Sequence, residues 1–139
     1  MLVQFENTSS TDKTKEGKGC CPGQTGHHLL SSAMFSDCSK SEYKASKAPT
    51  ICVEGAYSSN GSHGMIHRNM RDNLGKLEDA AGNKIPYNTP ITKKQAIDEA
   101  TKSVEQTFPT AGCDPKCIRA QLNEFYKDLD CTPKSHPGG

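Results

Sequence analysis

Apolar side chains are too few in this chain to build more than one small core. Its 139 residues include no Trp, four Phe and four Tyr, and the hydrophobic fraction is 32%. Globular chains usually carry about 45–50% on a slightly wider count. The length suits a single domain of roughly 100–150 residues, so the fold must lean on something besides burial. Lys plus Arg is 17 and Asp plus Glu is 16, for a net charge of +1. That balance excludes a strongly basic tail and withholds the usual electrostatic sign of a nucleic-acid binder. No apolar run approaches the roughly 18 residues of a membrane span. The first ten residues lack a basic n-region and a long apolar stretch, unlike a secretory signal.

Composition divides the chain. Residues 6–19, ENTSSTDKTKEGKG, are polar and simple, so 1–19 reads as a flexible linker or terminus and 20–139 as one domain. Residues 26–30, GHHLL, suit a short strand, and 31–47 a Ser- and Lys-rich loop. Ile51, Cys52 and Val53 form an apolar run between Pro49 and Gly55, the pattern of a buried strand. Asn60-Gly61 marks a tight turn. Ser62 is positioned to cap a helix from His63 to Leu74, with Gly75 as its stop. The later part, about 88–130, reads as helical. Thr89-Pro90 is one start signal and the Thr92/Gln95 capping box a competing one. Ile97, Ala100, Val104 and Phe108 recur at helical spacing before Pro109. Asp114-Pro115 opens a further helix, with Ile118, Leu122, Phe125, Tyr126 and Leu129 on one face. Both helices are expected to pack on a small sheet.

Four of the five histidines fall in two tight pairs, His27-His28 and His63/His67. A four-residue spacing on a helix stacks two imidazoles on one face, about 5–6 Å apart at Cβ. Two such rings can share an ion with Zn–N bonds of about 2.0–2.1 Å. A zincin protease would need Glu after the first His, where this chain has Gly64. A zinc finger would need a spaced Cys pair close upstream, whereas Cys20 and Cys21 are adjacent. The remaining reading takes a third ligand from the preceding strand and leaves one coordination position open, as a catalytic metal requires. The His27-His28 doublet offers that ligand and one imidazole more. Adjacent strand residues face opposite ways, so both serve one site only at a strand end or irregularity, where Gly26 gives backbone freedom. The second imidazole, with an ordinary pKa near 6.5, suits a general base.

Taken together, GHHLL, TICVEG and NGSHGMIH, in that order, resemble the GHH-signature toxin domains of the HNH/endonuclease VII superfold. These are nuclease modules at the C-termini of bacterial polymorphic toxins. The order is also similar to that of colicin-type nucleases. The resemblance covers residues 20–75 and implies an α+β domain. A small ββα-metal (His-metal finger) centre would occupy about 24–75, with additional C-terminal helices. It implies His27, His63 and His67 as metal ligands, His28 as general base and Asn60 as the residue that pins the loop. The implied reaction is metal-dependent phosphodiester hydrolysis, with DNA favoured over RNA, by an effector delivered into a target cell's cytoplasm. A cognate immunity protein would be its partner, with no membrane role. Three imidazoles suit zinc, nickel or cobalt, whereas magnesium prefers oxygen donors. Zinc is the expected resident ion, with magnesium, manganese or nickel as working alternatives. Arg68 and Arg71 follow the helix pair and could bind phosphates or simply face solvent. With Lys40, Lys44 and Lys47 they are candidates for a local positive face. The alternative function is a non-enzymatic, zinc-stabilised binding module in which a fourth protein ligand closes the coordination shell.

The seven cysteines are an odd number, so at least one is unpaired unless it bridges chains or binds metal. Cytosolic residence with mostly reduced, buried thiols is the plain expectation, and Cys52 then belongs to the core. A Cys117–Cys131 bridge is excluded if the intervening helix is continuous, because about 21 Å would separate them. Cys113 with Cys117 remains possible, as does a second metal site using both with an upstream Cys. His136 lies in a Pro-Gly tail with no assigned role.

Overall fold

The computed structural model describes residues 2–8, 20–21, 24–39, 41–55 and 61–135. It is an α+β fold with a three-stranded sheet and three helices. The strands are β1 (Val3–Gln4), β2 (Gln24–His28) and β3 (Pro49–Glu54), in the order β1-β3-β2 with both pairings antiparallel. The helices are α1 (Gly61–Gly75), α2 (Lys93–Thr107) and α3 (Pro115–Tyr126). Helix α1 packs on β3, α2 packs on α1 and α3, and α3 reaches back to β3. The expectation that both later helices lie on the sheet is therefore met only by α3, because α1 stands between α2 and the strands.

Residues 2–8 correct the reading of the start as a loose terminus. Val3 and Gln4 pair with Thr50 and Pro49. Phe5–Asn7 then form a single 3-10 turn, and Thr8 is buried. The loop after β2 is likewise more ordered than its Ser and Lys content suggests. It contains 3-10 turns at Ser32–Phe35 and Ala45–Lys47, and Met34 and Phe35 enter the core.

The capping box decides where α2 begins. Thr92 Oγ1 accepts from Gln95 N at 3.0 Å while Gln95 Oε1 accepts from Thr92 N at 2.9 Å. This satisfies two N–H groups that the first turn leaves without helical partners. The Thr89-Pro90 signal loses because that stretch is used elsewhere. Ser135 N bonds Thr89 O at 2.7 Å and Ile91 N bonds Pro133 O at 2.9 Å, so the C-terminal segment lies alongside 89–91. Helix α3 starts as expected, with the Asp114 side chain accepting from Lys116 N and Pro115 in the first turn. Ala96 and Ala100 are fully buried on α2, so small side chains line its packed face.

Burial is supplemented by disulfides, which overturns the expectation of unpaired, reduced thiols. Cys20 bonds Cys52 across 32 residues and Cys38 bonds Cys131 across 93. Cys52 is thus a half-buried bridge, not a plain core residue. Cys21, Cys113 and Cys117 are free and exposed, and Cys113 and Cys117 form neither a bridge nor part of a ligand cluster among the described residues. Tertiary approach brings the paired Cα atoms to 5.4 and 5.6 Å, inside the range a bridge needs.

Loop-closure entropy makes the longer bridge the stronger one. Replacing Cys38 and Cys131 by Ser should cost about 1 kcal/mol more stability than replacing Cys20 and Cys52, measured by denaturant unfolding. A second expectation concerns alkali. Phe35 stacks on both Tyr43 and Tyr126, at 4.8 and 5.1 Å between centroids, and both hydroxyls are buried without a hydrogen-bond partner. Burial pushes the Tyr43 phenol up to about 12 and Tyr126 well above its ordinary value. The unfolded phenols titrate near 10. Their contribution to stability is complete below that pH and is lost as pH rises towards the folded value. Phenolate absorbance between about pH 10 and 12 should therefore appear together with loss of helical circular dichroism.

Candidate metal centre

The histidine cluster is assembled where β2 faces the first turns of α1. His27 lies opposite Ile51 and His28 opposite Thr50 in the β2–β3 ladder. His27 points inward and is buried. His28 is the last residue of the strand and half-buried. The strand-end condition for both imidazoles to reach one site is thereby met. A cleft of about 130 Å³ is lined by Gly26, His27, His28, Ser31, Ser32, His63 and His67. Larger hollows lie beside β1 and α3, away from the histidines.

Two bonds tie the end of β3 to the start of α1. The Ser62 hydroxyl accepts from Glu54 N at 2.8 Å, and His63 Nδ1 donates to Gly55 O at 3.1 Å. Ser62 is therefore not the expected cap, and α1 begins earlier, at Gly61. Gly61 adopts φ +54°, and a Cβ there would come within 2.7 Å of Glu54 O, so glycine is required at this joint. Asn60, the expected loop-pinning residue, lies outside the described residues. Ser62 and His63 perform a pinning role that the sequence reading did not assign to them.

The three expected ligands converge. One ligand nitrogen from each of His27, His63 and His67 lies within 4.8 Å of the others. Ring centroids are 4.5 Å apart for His27 and His67, 4.8 Å for His63 and His67, and 5.4 Å for His27 and His63. Nitrogens sharing a tetrahedral zinc at about 2.0–2.1 Å stand roughly 3.4 Å apart. The donor chemistry also fits. Because a carbonyl only accepts, the bond to Gly55 keeps the His63 proton on Nδ1 and leaves Nε2 with its lone pair. His27 Nε2 is buried and has no hydrogen-bond partner, a costly state that a metal bond would relieve. Burial, then the charges of His67, His63 and His28, hold the His27 pKa well below 6.5, so this imidazole stays neutral, as a ligand must be.

His28 is held apart from that cluster. Its Nε2 donates to Ala45 O at 2.9 Å, and its ring stacks on Phe5 at 4.4 Å. Burial lowers its pKa, and the Ala45 bond partly offsets this. The remaining lone pair is on Nδ1, so a neutral His28 can accept a proton there. Sequence reasoning missed both Ala45 and Phe5; an isolated aromatic in a polar stretch was the available signal for Phe5.

The basic residues are less concentrated than expected. Arg68 and Arg71 are exposed on α1 and do not line the cleft. Arg71 lies one turn beyond His67 on the same helix side. Lys44 is exposed, Lys47 pairs with Glu6 at 2.5 Å, and Lys40 and His136 lie outside the described residues. A second group of ligand-type side chains, Cys38, Glu42 and Cys131, serves the fold. Its sulfurs form the disulfide, and Glu42 Oε1 accepts from Asp130 N and Cys131 N at 2.7 and 2.9 Å.

Residues 6–126 match the family described as "GHH signature containing HNH/Endo VII superfamily nuclease toxin 2". The chain belongs to this family. HNH/endonuclease VII nucleases are metal-dependent, in keeping with the imidazole cluster. The chain is also 28% identical over 124 residues to the DNase toxin Tse7 of Pseudomonas aeruginosa, covering 78% of this chain and 32% of that protein. It therefore spans about a third of the length of the curated relative it matches. No solved structure shows a significant match.

The glycine of the GHH signature has a packing role here. Gly26 is not among the glycines with positive φ, so backbone freedom is not what the position uses. A Cβ on it would lie 2.4 Å from Thr8 Oγ1 and 2.7 Å from Thr8 Cβ. Gly26→Ala should destabilise the domain by about 1–3 kcal/mol, the usual cost of overpacking. Adding Thr8→Gly should recover much of that loss, whereas Thr8→Ala, which keeps the offending Cβ, should recover less. Thermal unfolding of the three variants checks this.

Proposed function

We propose that this domain is a metal-dependent endonuclease that hydrolyses DNA, with His27, His63 and His67 as metal ligands and His28 as general base. The observation that carries the reading is the coordination count. Among the described residues three ligand-type side chains converge, with His28 beside them and tied to a backbone carbonyl. Three protein ligands leave a position for water or substrate, whereas the alternative, a structural zinc module, needs a fourth. The preference for DNA rests on the similarity to the DNase toxin of Pseudomonas aeruginosa.

A divalent ion held by the three imidazoles would supply Lewis-acid stabilisation of the phosphate charge and the leaving oxygen. His28 takes a proton from the attacking water at Nδ1, because Nε2–H is already given to Ala45. Its lowered pKa keeps it in the accepting form at neutral pH. The small cleft admits the reacting phosphate, and the flanking nucleotides lie outside it, where exposed Arg68 and Arg71 offer phosphate contacts. Zinc best suits the imidazole set, with magnesium, manganese or nickel as working alternatives. Family membership further supports delivery into a target cell and neutralisation by a cognate immunity protein.

The deciding experiment separates the two histidines of the doublet. His28→Ala should keep its bound metal while plasmid nicking falls about 10²–10⁴-fold. His27→Ala, His63→Ala and His67→Ala should lose both metal and activity. Elemental analysis and nicking with and without chelator, beside an RNA substrate, read all of these quantities. Metal loss in His28→Ala with normal metal in His27→Ala would reverse the roles. Full activity in both would remove these histidines from the nuclease site, and absence of nicking by the unaltered, metal-bound protein would leave the structural zinc module.

A further inference from the structure

We propose that Phe5 is a positioning residue for His28, holding the imidazole in the one orientation that makes Nδ1 useful as a base. The inference rests on the reading of His28 given above. The Ala45 carbonyl fixes one point of the ring, at Nε2. A single hydrogen bond still lets an imidazole tilt about the N–H···O axis, which would swing Nδ1 away from a water in the cleft. The Phe5 ring removes that freedom. It lies face to face with the imidazole, with centroids 4.4 Å apart and planes 24° from parallel.

Phe5 can do this because its own backbone is held. Phe5 N donates to Ala48 O at 3.1 Å, and Phe5 O accepts from Thr8 N at 3.0 Å and from Thr8 Oγ1 at 2.6 Å. Glu6 pairs with Lys47. The N-terminal turn is thus fastened to the same Ala45–Lys47 turn that presents the Ala45 carbonyl. The two restraints on His28, one at its edge and one on its face, are parts of one assembly. Thr8 completes it by packing on Gly26, two residues before His28. Phe5 is 40% exposed, so core burial does not account for the ring's position.

The test uses the full chain with Phe5→Ala, Phe5→Leu and Phe5→Tyr, and His28→Ala as a control. Steady-state cleavage of a DNA substrate gives kcat and KM, and elemental analysis gives bound metal. Nitrogen-15 relaxation of the histidine rings in metal-free protein reports the mobility of the His28 imidazole without relying on activity. Phe5→Ala should lower kcat about 3–10-fold, the occupancy that an aromatic pair secures. KM and metal content should not change, and the His28 ring should become mobile while the Nε2–H tautomer held by Ala45 persists. Phe5→Leu keeps apolar bulk and fold but should remain slow, whereas Phe5→Tyr, which keeps the ring face, should retain the wild-type kcat and a rigid His28 ring. A raised KM with unchanged kcat in Phe5→Ala would overturn the proposal and make Phe5 a substrate contact. Wild-type kinetics in Phe5→Leu, with His28→Ala inactive, would also overturn it while leaving the base in place. An active His28→Ala would remove the base itself, a result distinct from either.

Discussion

A one-residue slip between β2 and β3 would exchange the faces of His27 and His28, because strand side chains alternate. The inward imidazole and the imidazole at the cleft's edge would trade places, and neither would keep its partners. The site therefore depends on the register that sets Gly26 opposite Cys52 and His27 opposite Ile51. Three local features hold that register. The Cys20–Cys52 bridge anchors β3 at the position facing Gly26. Thr8 occupies the space that a side chain at residue 26 would need. The Ser62 and His63 bonds fix the end of β3 against α1, which carries the other two imidazoles.

Economy of core explains why so much is tied by specific bonds. The aromatic stack of Phe35, Tyr43 and Tyr126 and the aliphatic faces of α1, α2 and α3 form one cluster. That cluster lies beneath the site and contributes the usual ~1.5–3 kcal/mol for each large apolar side chain fully buried. The long loop after β2 buries Leu29, Leu30, Met34, Phe35 and Tyr43 but has no strand or α-helix of its own among the described residues. It is fastened to the C-terminal end by the Cys38–Cys131 bridge, by Glu42 on the Asp130 and Cys131 amides, and by the Lys134–Asp37 ion pair. The sheet edge is held in the same way, through a two-strand pairing and the Glu6–Lys47 pair. A polar, lightly packed chain thereby keeps its imidazole cluster in fixed geometry.

Buried imidazoles give this arrangement its chemical character. Burial and the neighbouring His67, His63 and His28 raise the cost of charging His27, so that ring stays a neutral nitrogen donor. His27 alone among them has a buried nitrogen with no hydrogen-bond partner. An unsatisfied buried polar atom is expensive, and this one is tolerated where a ligand supplies the missing bond. His28 shows the opposite solution, with its Nε2 proton given to a carbonyl. Two adjacent residues of one type thus have different surroundings, because one is enclosed by α1 and the other by the turn at Ala45.

The sequence by itself determined the α+β class, the His63/His67 spacing, the β3 run and the start of α3, because each follows from local periodicity or capping. It also marked the histidine doublet and its likeness to the GHH toxins. The start of α2 was legible only as a choice between two caps. The tertiary structure decided it, because residues 89–91 pair with the C-terminal segment 133–135. The disulfides, the ordered start at Val3–Asn7, the packing reason for Gly26 and the Phe5–His28 stack were likewise decided only in three dimensions. Partners in these contacts are 18 to 93 residues apart in the chain. Nothing in local propensity encodes such distances. They arise only when burial of the shared core and closure of the strand ladder bring the segments together.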